Sequence, residues 1–466
     1  MPLGITGYGA YLPRHRLTHE ELGAALGSGP THLGKGTRTV ASYDEDATTM
    51  GVEAARRALG DAAPDRWTSN LLFATSSPPY LDKSNATAIH AALDLGHRGF
   101  AADTGGAPRS AIAALRAAAA LGGLAVLSDL RTGLPSSADE RGGADGAAAF
   151  RFGDEADALA TILAEASASA EFLDRWRVPG QDASRSWEER FGQEMYLPLI
   201  ADAVGRALAA AGIEQADHVI VSSPHTRSAG VAARTYAGRV PSQEGALGYA
   251  GSADAGLKLA AVLDRAGAGE TILLISAADG CDALVLRTTA SLPGRRAAHP
   301  VLAQLEGGRE LRYATYLTWR GMLDREPPRR PEPDRPAGPP SARGEAWKFG
   351  LVGSRCRSCG FVHLPPSRVC KRCHHIDEME RIALGQRSGT VATFTVDRLA
   401  FSPSPPMINA VVDFDGGGRY TLEVADASPD EVEIGTRVQM SFRRLYTVDG
   451  VHNYFWKATV VAAEED

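Results

Sequence analysis

At 466 residues, with Ala and Gly used heavily and a net charge of −7, the chain is long enough for about two to four domains with large cores, and its acidity argues against a nucleic-acid or anionic-membrane surface. No apolar run approaches membrane-spanning length, and Arg14 and Arg16 interrupt the stretch where a secretion signal would lie, so the expectation is a soluble, cytoplasmic protein. The five cysteines suit a reducing compartment and not a disulfide framework.

Residues before 325 read as alternating strands and helices of an α/β protein. Apolar "NLLFATSSPP" (70–79) runs into Ser-Ser-Pro, and so does "DHVIVSSPHT" (217–226). "GGADGAAAFRF" (142–152) and "SAADGCDALVL" (276–286) each lead from an Ala-Asp-Gly turn into a second apolar strand. Between the members of each pair lie a Gly-rich turn and an apolar helix, "TGGAPRSAIAAL" in one case and "GYAGSADAGLKLAAVL" in the other. The similar offsets predict two homologous halves stacked together, with the chemistry at the strand ends where they meet. In "AADTGGAPRSAIAAL" (101–115) the helix start holds Pro108, which suits that place because its φ is preset and it has no N–H to leave unsatisfied.

The composition breaks at "REPPRRPEPDRPAGPPSAR" (325–343), which cannot bury a core and predicts a stiff, extended connector. Next, "RCRSCGFVHLPPSRVCKRC" places Cys356, Cys359, Cys370 and Cys373 in two Cys-x-x-Cys pairs separated by ten residues. Each pair grips a tetrahedral metal through one knuckle and four thiolates close the shell, which predicts a structural zinc ion. His374 and His375 follow directly, but the cysteine pairs are complete without them. From Gly389 onward, apolar–polar alternation around Gly and Asp turns predicts a small antiparallel barrel of the OB type. The expected division is 1–165 and 166–324 for the two halves, 325–344 for the linker, 345–385 for the ribbon and 386–466 for the barrel.

The stretches "GITGYGAYLPRHRL" (4–17), "VASYDEDATTMGVEAARRAL" (40–59), "SSPPYLDKSNA" (76–86), "ADGAAAFRFG" (144–153) and "GCDALVLR" (280–287) resemble the thiolase superfamily. Within it they are similar to the archaeal-type 3-hydroxy-3-methylglutaryl-CoA synthases and their ketoacyl synthase III cousins. "EAWKFGLVGSRCRSCGFVHLPPSRVC" (345–370) and "FRRLYTVDGVHNYFWK" (442–457) resemble the zinc-ribbon OB-fold (DUF35-type) proteins that accompany such enzymes. The resemblance implies a duplicated five-layer αβαβα fold, a homodimer, a tunnel for a pantetheine arm and a coenzyme A or acyl-carrier-protein thioester as substrate. It also implies a cysteine nucleophile at the start of the central helix, its thiol activated by the helix terminus.

The chain departs from that pattern at each reacting position. The family cysteine falls on Pro108, the synthase glutamate on Ser76, the histidine on Ser222 with His225 three residues on, and the cousins' asparagine near Tyr249. Pro108 has no nucleophilic atom, so conventional synthesis through an acyl-cysteine is not expected. Aldol and retro-aldol steps need only a base, an acid and an enolate-stabilising hole. Thiolase-like aldolases that work with ribbon–OB partners are thought to use tyrosines, which makes Tyr249 the first candidate, with His225 as its cationic neighbour and Tyr80 nearby. The alternative for Tyr249 is a packed aromatic, and for His225 a loop residue on the rim. Asp103 and Asp254 read as turn or cap residues, and the lone Cys281 as a buried small residue. Arg227 and Lys83 are candidates for the coenzyme's phosphates, or else solvated surface charges.

Two other readings stand beside the lyase or synthase. One is acyl transfer through a different nucleophile, such as Ser110 or Ser222. The other is a catalytically degenerate scaffold that binds acyl-CoA.

Overall fold

Segments with continuous apolar runs, such as Leu71–Thr75, Gly123–Asp129 and Thr271–Ser276, bury every residue, as strands covered on both faces must. In the computed structural model, which describes residues 3–27, 36–60 and 67–461, they belong to one nine-stranded mixed sheet. The described residues fall into two compact units, one within 1–41, 46–87 and 97–316, the other within 42–45, 88–96 and 317–466.

The sheet of the first unit reads from its middle outward twice. In the first half the order is Gly4–Tyr11, Gly146–Gly153, Gly123–Asp129, Leu71–Thr75 and Ala101–Gly105. In the second it is Ala160–Ala168, Cys281–Thr288, Thr271–Ser276 and His218–Ser222. The halves join where Ile5 pairs with Ala160. The duplication expected from the sequence is therefore the architecture. It differs in one strand: Ala101–Gly105 has no second-half counterpart among the described residues, and short 3-10 turns, Glu244–Leu247 and Gly251–Ala253, precede the second central helix. Strand Ala160–Ala168 also runs unbroken across residue 165, where the division between halves was expected.

The corresponding helices Ser110–Leu121 and Asp254–Leu263 share one apolar cluster with both halves of the sheet. The small residues that dominate the composition allow this close packing. Helix Ala47–Leu59 lies so near Gly9 that a Cβ there would stand 2.7 Å from the Ala54 carbonyl oxygen. Only glycine fits that crossing.

In the second unit, the connector carries no helix or strand until Gly338–Arg343, which is helical and exposed. Strands Val352–Cys356, Val362–His363 and Met379–Ala383 make the ribbon. The barrel closes in the order Gly389–Asp397, Met407–Phe414, Arg419–Ala425, Val451–Val460, Arg437–Val448.

Its outer face carries buried charge, on residues that alternate with the apolar ones of the interior. Arg443 and Lys457 are almost wholly buried, and the segment Ser42–Glu45 supplies acids to both. Arg443 lies 3.1 Å from both Asp44 and Glu45 and 2.6 Å from Asp426. Lys457 lies 2.9 Å from Asp44 and 2.6 Å from Glu423. Burial alone would raise the Asp44 carboxyl, but Lys457 and Arg443 outweigh it and hold the group well below the usual carboxylate range. Replacing Lys457 by Met strips Asp44 of one cation while leaving it buried. The expected loss is about 3–5 kcal/mol, read as a lower urea midpoint at an unchanged slope.

Candidate active site

The turn between strand Ala101–Gly105 and helix Ser110–Leu121 is built from Gly106, at φ +108, and Pro108. The Pro108 carbonyl accepts the Ala111 N–H at 3.2 Å, so the proline sits in the turn two residues before the helix, not in its first turn as expected, and offers no reactive atom. Arg109 ties this turn to the other half. Its Nε donates to Asp282 Oδ2 at 2.8 Å and its Nη1 to the Asp279 carbonyl at 2.8 Å.

At the end of the neighbouring strand, Asp129 is fully buried and saturated by donors. The Ser76 hydroxyl reaches it at 2.5 Å, the Ser252 N–H at 2.9 Å, and the Ser77 hydroxyl also donates to it. Gly251, at φ +57, is required here because a Cβ would collide with the Asp129 carboxylate.

Three cavities adjoin these elements. The first, 470 Å³, is lined by Pro108, Ser76, Arg131, Arg177, Tyr196 and Asp279 among others. The second, 320 Å³, is lined by Arg131, Asp174, Arg175, His225 and Tyr249. The third, 910 Å³, has mostly Ala, Gly and Val walls and again includes Tyr249. Arg131, Arg175 and Pro224 line both of the first two, and Tyr249 lines the second and third.

Pro108 and Ser76 thus share one cavity, His225 and Tyr249 the next, and Arg131 stands between them. The Arg131 guanidinium lies 5.6 Å over the Tyr249 ring. It supplies the cationic neighbour that the sequence had assigned to His225. Burial raises the Tyr249 phenol strongly and Arg131 only partly offsets this, so the phenol is protonated at neutral pH.

His225 is engaged at both ring nitrogens. Its Nδ1 accepts the Ser228 N–H at 3.1 Å as the cap of helix Thr226–Thr235, which leaves Nε2 to donate to the Glu189 carbonyl at 2.8 Å. Ser222 and Tyr80 line none of the three cavities. Lys83 is exposed and donates to the Ser84 carbonyl at 2.9 Å, and Arg227 is half-exposed, 3.9 Å from Glu189. Asp103 caps the start of helix Ala86–Ala92 by accepting the Asn85 and Ala86 N–H groups, and Asp254 pairs with Lys258 at 2.8 Å. Cys281 is sealed in an apolar cluster, where burial pushes its thiol up to about 12.

Sequence reasoning missed Arg131, Asp174, Arg175 and Arg177. Arg131 carried a usable signal, since it lies two residues past the end of strand Gly123–Asp129, at the strand ends where α/β sheets hold ligands. Asp174 carried none. It is brought in by the start of helix Glu189–Ala211, where Gly192 leaves so little room that a Cβ would collide with Asp174 and stand 2.8 Å from His225 Nε2.

In the ribbon, the sulfurs of Cys356, Cys359, Cys370 and Cys373 all lie within 4.8 Å of one another. Cys356 and Cys373 are 3.6 Å apart and Cys359 and Cys370 3.5 Å, close to the ~3.8 Å edge of a tetrahedron with Zn–S bonds of ~2.3 Å. The Arg372 and Cys373 N–H groups point at Cys370 Sγ from 3.4 and 3.5 Å. That is the knuckle arrangement that stabilises a metal-bound thiolate, so the four cysteines fit zinc. His375 Nδ1 lies 3.4 Å from Cys373 Sγ, outside the sulfur set.

Residues 349–380 match the family model described as ChsH2, rubredoxin-like zinc ribbon domain, and residues 382–443 that of ChsH2, C-terminal OB-fold domain. The chain is 30% identical over 342 residues to the hydroxymethylglutaryl-CoA synthase of Archaeoglobus fulgidus, covering 69% of this chain and 99% of that one. Among solved structures, an HMG-CoA synthase complexed with CoA matches with a TM-score of 0.60 at 17% identity, covering 68% of this chain and 89% of that one. The HMG synthase of the curacin biosynthetic pathway in complex with apo donor-ACP matches with a TM-score of 0.57 at 19% identity, covering 69% and 88%.

Proposed function

This chain belongs to the hydroxymethylglutaryl-CoA synthase family, and from that premise we propose that it makes or breaks a carbon–carbon bond on an acyl thioester, by aldol or retro-aldol chemistry, without a cysteine acyl-enzyme. The observation that carries this is Pro108. It stands in the turn that leads into the central helix and lines the first cavity, and no cysteine lines any of the three cavities.

What remains around those cavities is proton-transfer and oxyanion chemistry. Tyr249, held protonated, is the acid, and Arg131 is a fixed positive charge beside it. The thioester is carried by coenzyme A or by a carrier protein. The CoA and donor-ACP in the matched synthase complexes support those two carriers. The homodimer that belongs to this reading would form along strand Ala101–Gly105, which ends the sheet among the described residues. No helix of the described residues is long and apolar enough to cross a membrane.

A second reading, acyl transfer through serine, is favoured by one contact, the Ser76 hydroxyl 2.5 Å from the Asp129 carboxylate. Ser110 supports it less, because its hydroxyl is tied to the Ala107 carbonyl. Mass spectrometry of the intact chain after incubation with acetyl-CoA separates the two. The expected result is no mass gain; an acetyl adduct on Ser76 overturns the non-covalent mechanism. Binding of thioesters with no turnover across a broad panel would instead establish the scaffold.

A further inference from the structure

We propose that the 320 Å³ cavity is an enolisation chamber in which Asp174 takes the α-proton of the bound acyl group while Arg131 holds the thioester oxygen. The inference rests on the thioester reading above and adds to it a base and an oxyanion site.

Three side chains of different chemistry face this one cavity, and none of them is in an ion pair among the described residues. Asp174 is 6% exposed, yet its carboxyl makes no hydrogen bond or ion pair among the described residues. Arg131 is 7% exposed, and among the described residues its guanidinium has one long hydrogen bond, 3.4 Å to Ser76 Oγ, and no carboxylate within ion-pair distance. The Tyr249 phenol has no hydrogen-bond partner among the described residues. Nine in ten buried polar groups are satisfied internally or by ordered water. A guanidinium cannot escape the cost of burial by losing its proton.

A carboxyl, a guanidinium and a phenol left open on one cavity therefore point to a ligand that presents an acidic C–H, an oxygen that gains negative charge and an acceptor for a phenolic proton. The neighbouring Asp129 makes no direct ion pair with Arg131 among the described residues; its oxygens accept from Ser76, Ser77 and the Ser252 N–H.

The step balances without any further reactant. The α-carbon–hydrogen bond breaks, its proton passes to the Asp174 carboxylate, and its electron pair forms the carbon–carbon double bond of the enolate. The carbonyl π pair moves to the thioester oxygen, against Arg131. Reversal returns the proton from Asp174 to carbon. The enolate is the nucleophile of an aldol addition or the leaving fragment of a retro-aldol cleavage, so the same chamber serves either direction.

Burial raises the Asp174 carboxyl above the ordinary range, with His225 and Arg175 pulling it back. Tyr196 and Asp279 also face it. A base raised in this way is protonated, and inactive, at a higher pH than an ordinary aspartate.

The test is exchange of the α-protons of acetyl-CoA and butyryl-CoA in D2O, followed by NMR with the full chain, while calorimetry follows binding of the same thioesters. The wild-type chain is expected to exchange them, with an acid limb above the ordinary aspartate range. Asp174→Asn should bind alike but exchange about 100-fold slower or worse and lose that limb. Asp174→Glu, which keeps a carboxylate, should retain exchange to within about tenfold. Arg131→Gln should lose about 100-fold. Exchange by Asp174→Asn at the wild-type rate, or a wild-type chain that binds both thioesters and exchanges neither, overturns the chamber and leaves the thioester reading standing. Failure of the wild-type chain to bind either thioester overturns that reading, and the chamber with it.

Discussion

Tyr249→Phe is expected to lower turnover by about 10²–10⁴-fold while leaving the affinity for thioesters nearly unchanged. The substitution removes one oxygen and keeps the ring, so the packing against the Arg131 guanidinium survives. The loop also keeps its place, because it is held by backbone bonds, the Tyr249 N–H to the Gly142 carbonyl at 2.8 Å and the Ala144 N–H to the Tyr249 carbonyl at 3.0 Å. What disappears is the proton. The buried phenol is raised far above neutrality, so at working pH the wild-type residue always has a proton to give, and phenylalanine never does. Steady-state kinetics should show a loss in kcat with KM little changed, the signature of an interaction made only in the transition state. Full activity in this variant would move the acid to another group.

Removing the ribbon's metal should have the largest effect on folding. The ribbon has three strands of two to five residues, too few to bury a core that orders about thirty residues by itself. Structural zinc supplies on the order of 10–16 kcal/mol in small domains of this kind, which is more than the stability of most whole domains. Metal analysis should find about one zinc per chain. Chelation, or Cys370→Ser, should expose the peptide bonds between Val352 and Ala383 to proteolysis. A ribbon that stays resistant after complete chelation would show that the sulfurs hold no structural ion.

Most of the fold was legible because its signals are local. The paired Ser-Ser-Pro strand ends and Ala-Asp-Gly turns of the sequence correspond to strands Leu71–Thr75 and His218–Ser222 and to strands Gly146–Gly153 and Cys281–Thr288. The cysteine spacing named its own metal class, and Pro108 could be placed because a helix start has a sequence signature. The site was legible only in part.

Asp174, Arg175 and Arg177 lie in a stretch whose only regular elements are the two-residue strands Arg175–Trp176 and Arg185–Ser186. No periodicity indicates that it folds back over the sheet ends. His225 read as a cationic neighbour for Tyr249 because a sequence does not show that a cap N–H and a distant carbonyl occupy both ring nitrogens. The missing strand of the second half is likewise a departure from the repeat that composition does not betray.

Strands Arg437–Val448 and Val451–Val460 leave the ribosome long after Asp44 and Glu45, the acids that Arg443 and Lys457 meet on the outer face of the barrel. Translation therefore exposes two carboxylates early and delivers their cations late, so a barrel made alone would pair Arg443 and Lys457 only with its own Asp426 and Glu423. A polypeptide started at residue 345 would receive the missing acids only in trans. The order of synthesis makes the beginning of the chain a template on which its end assembles.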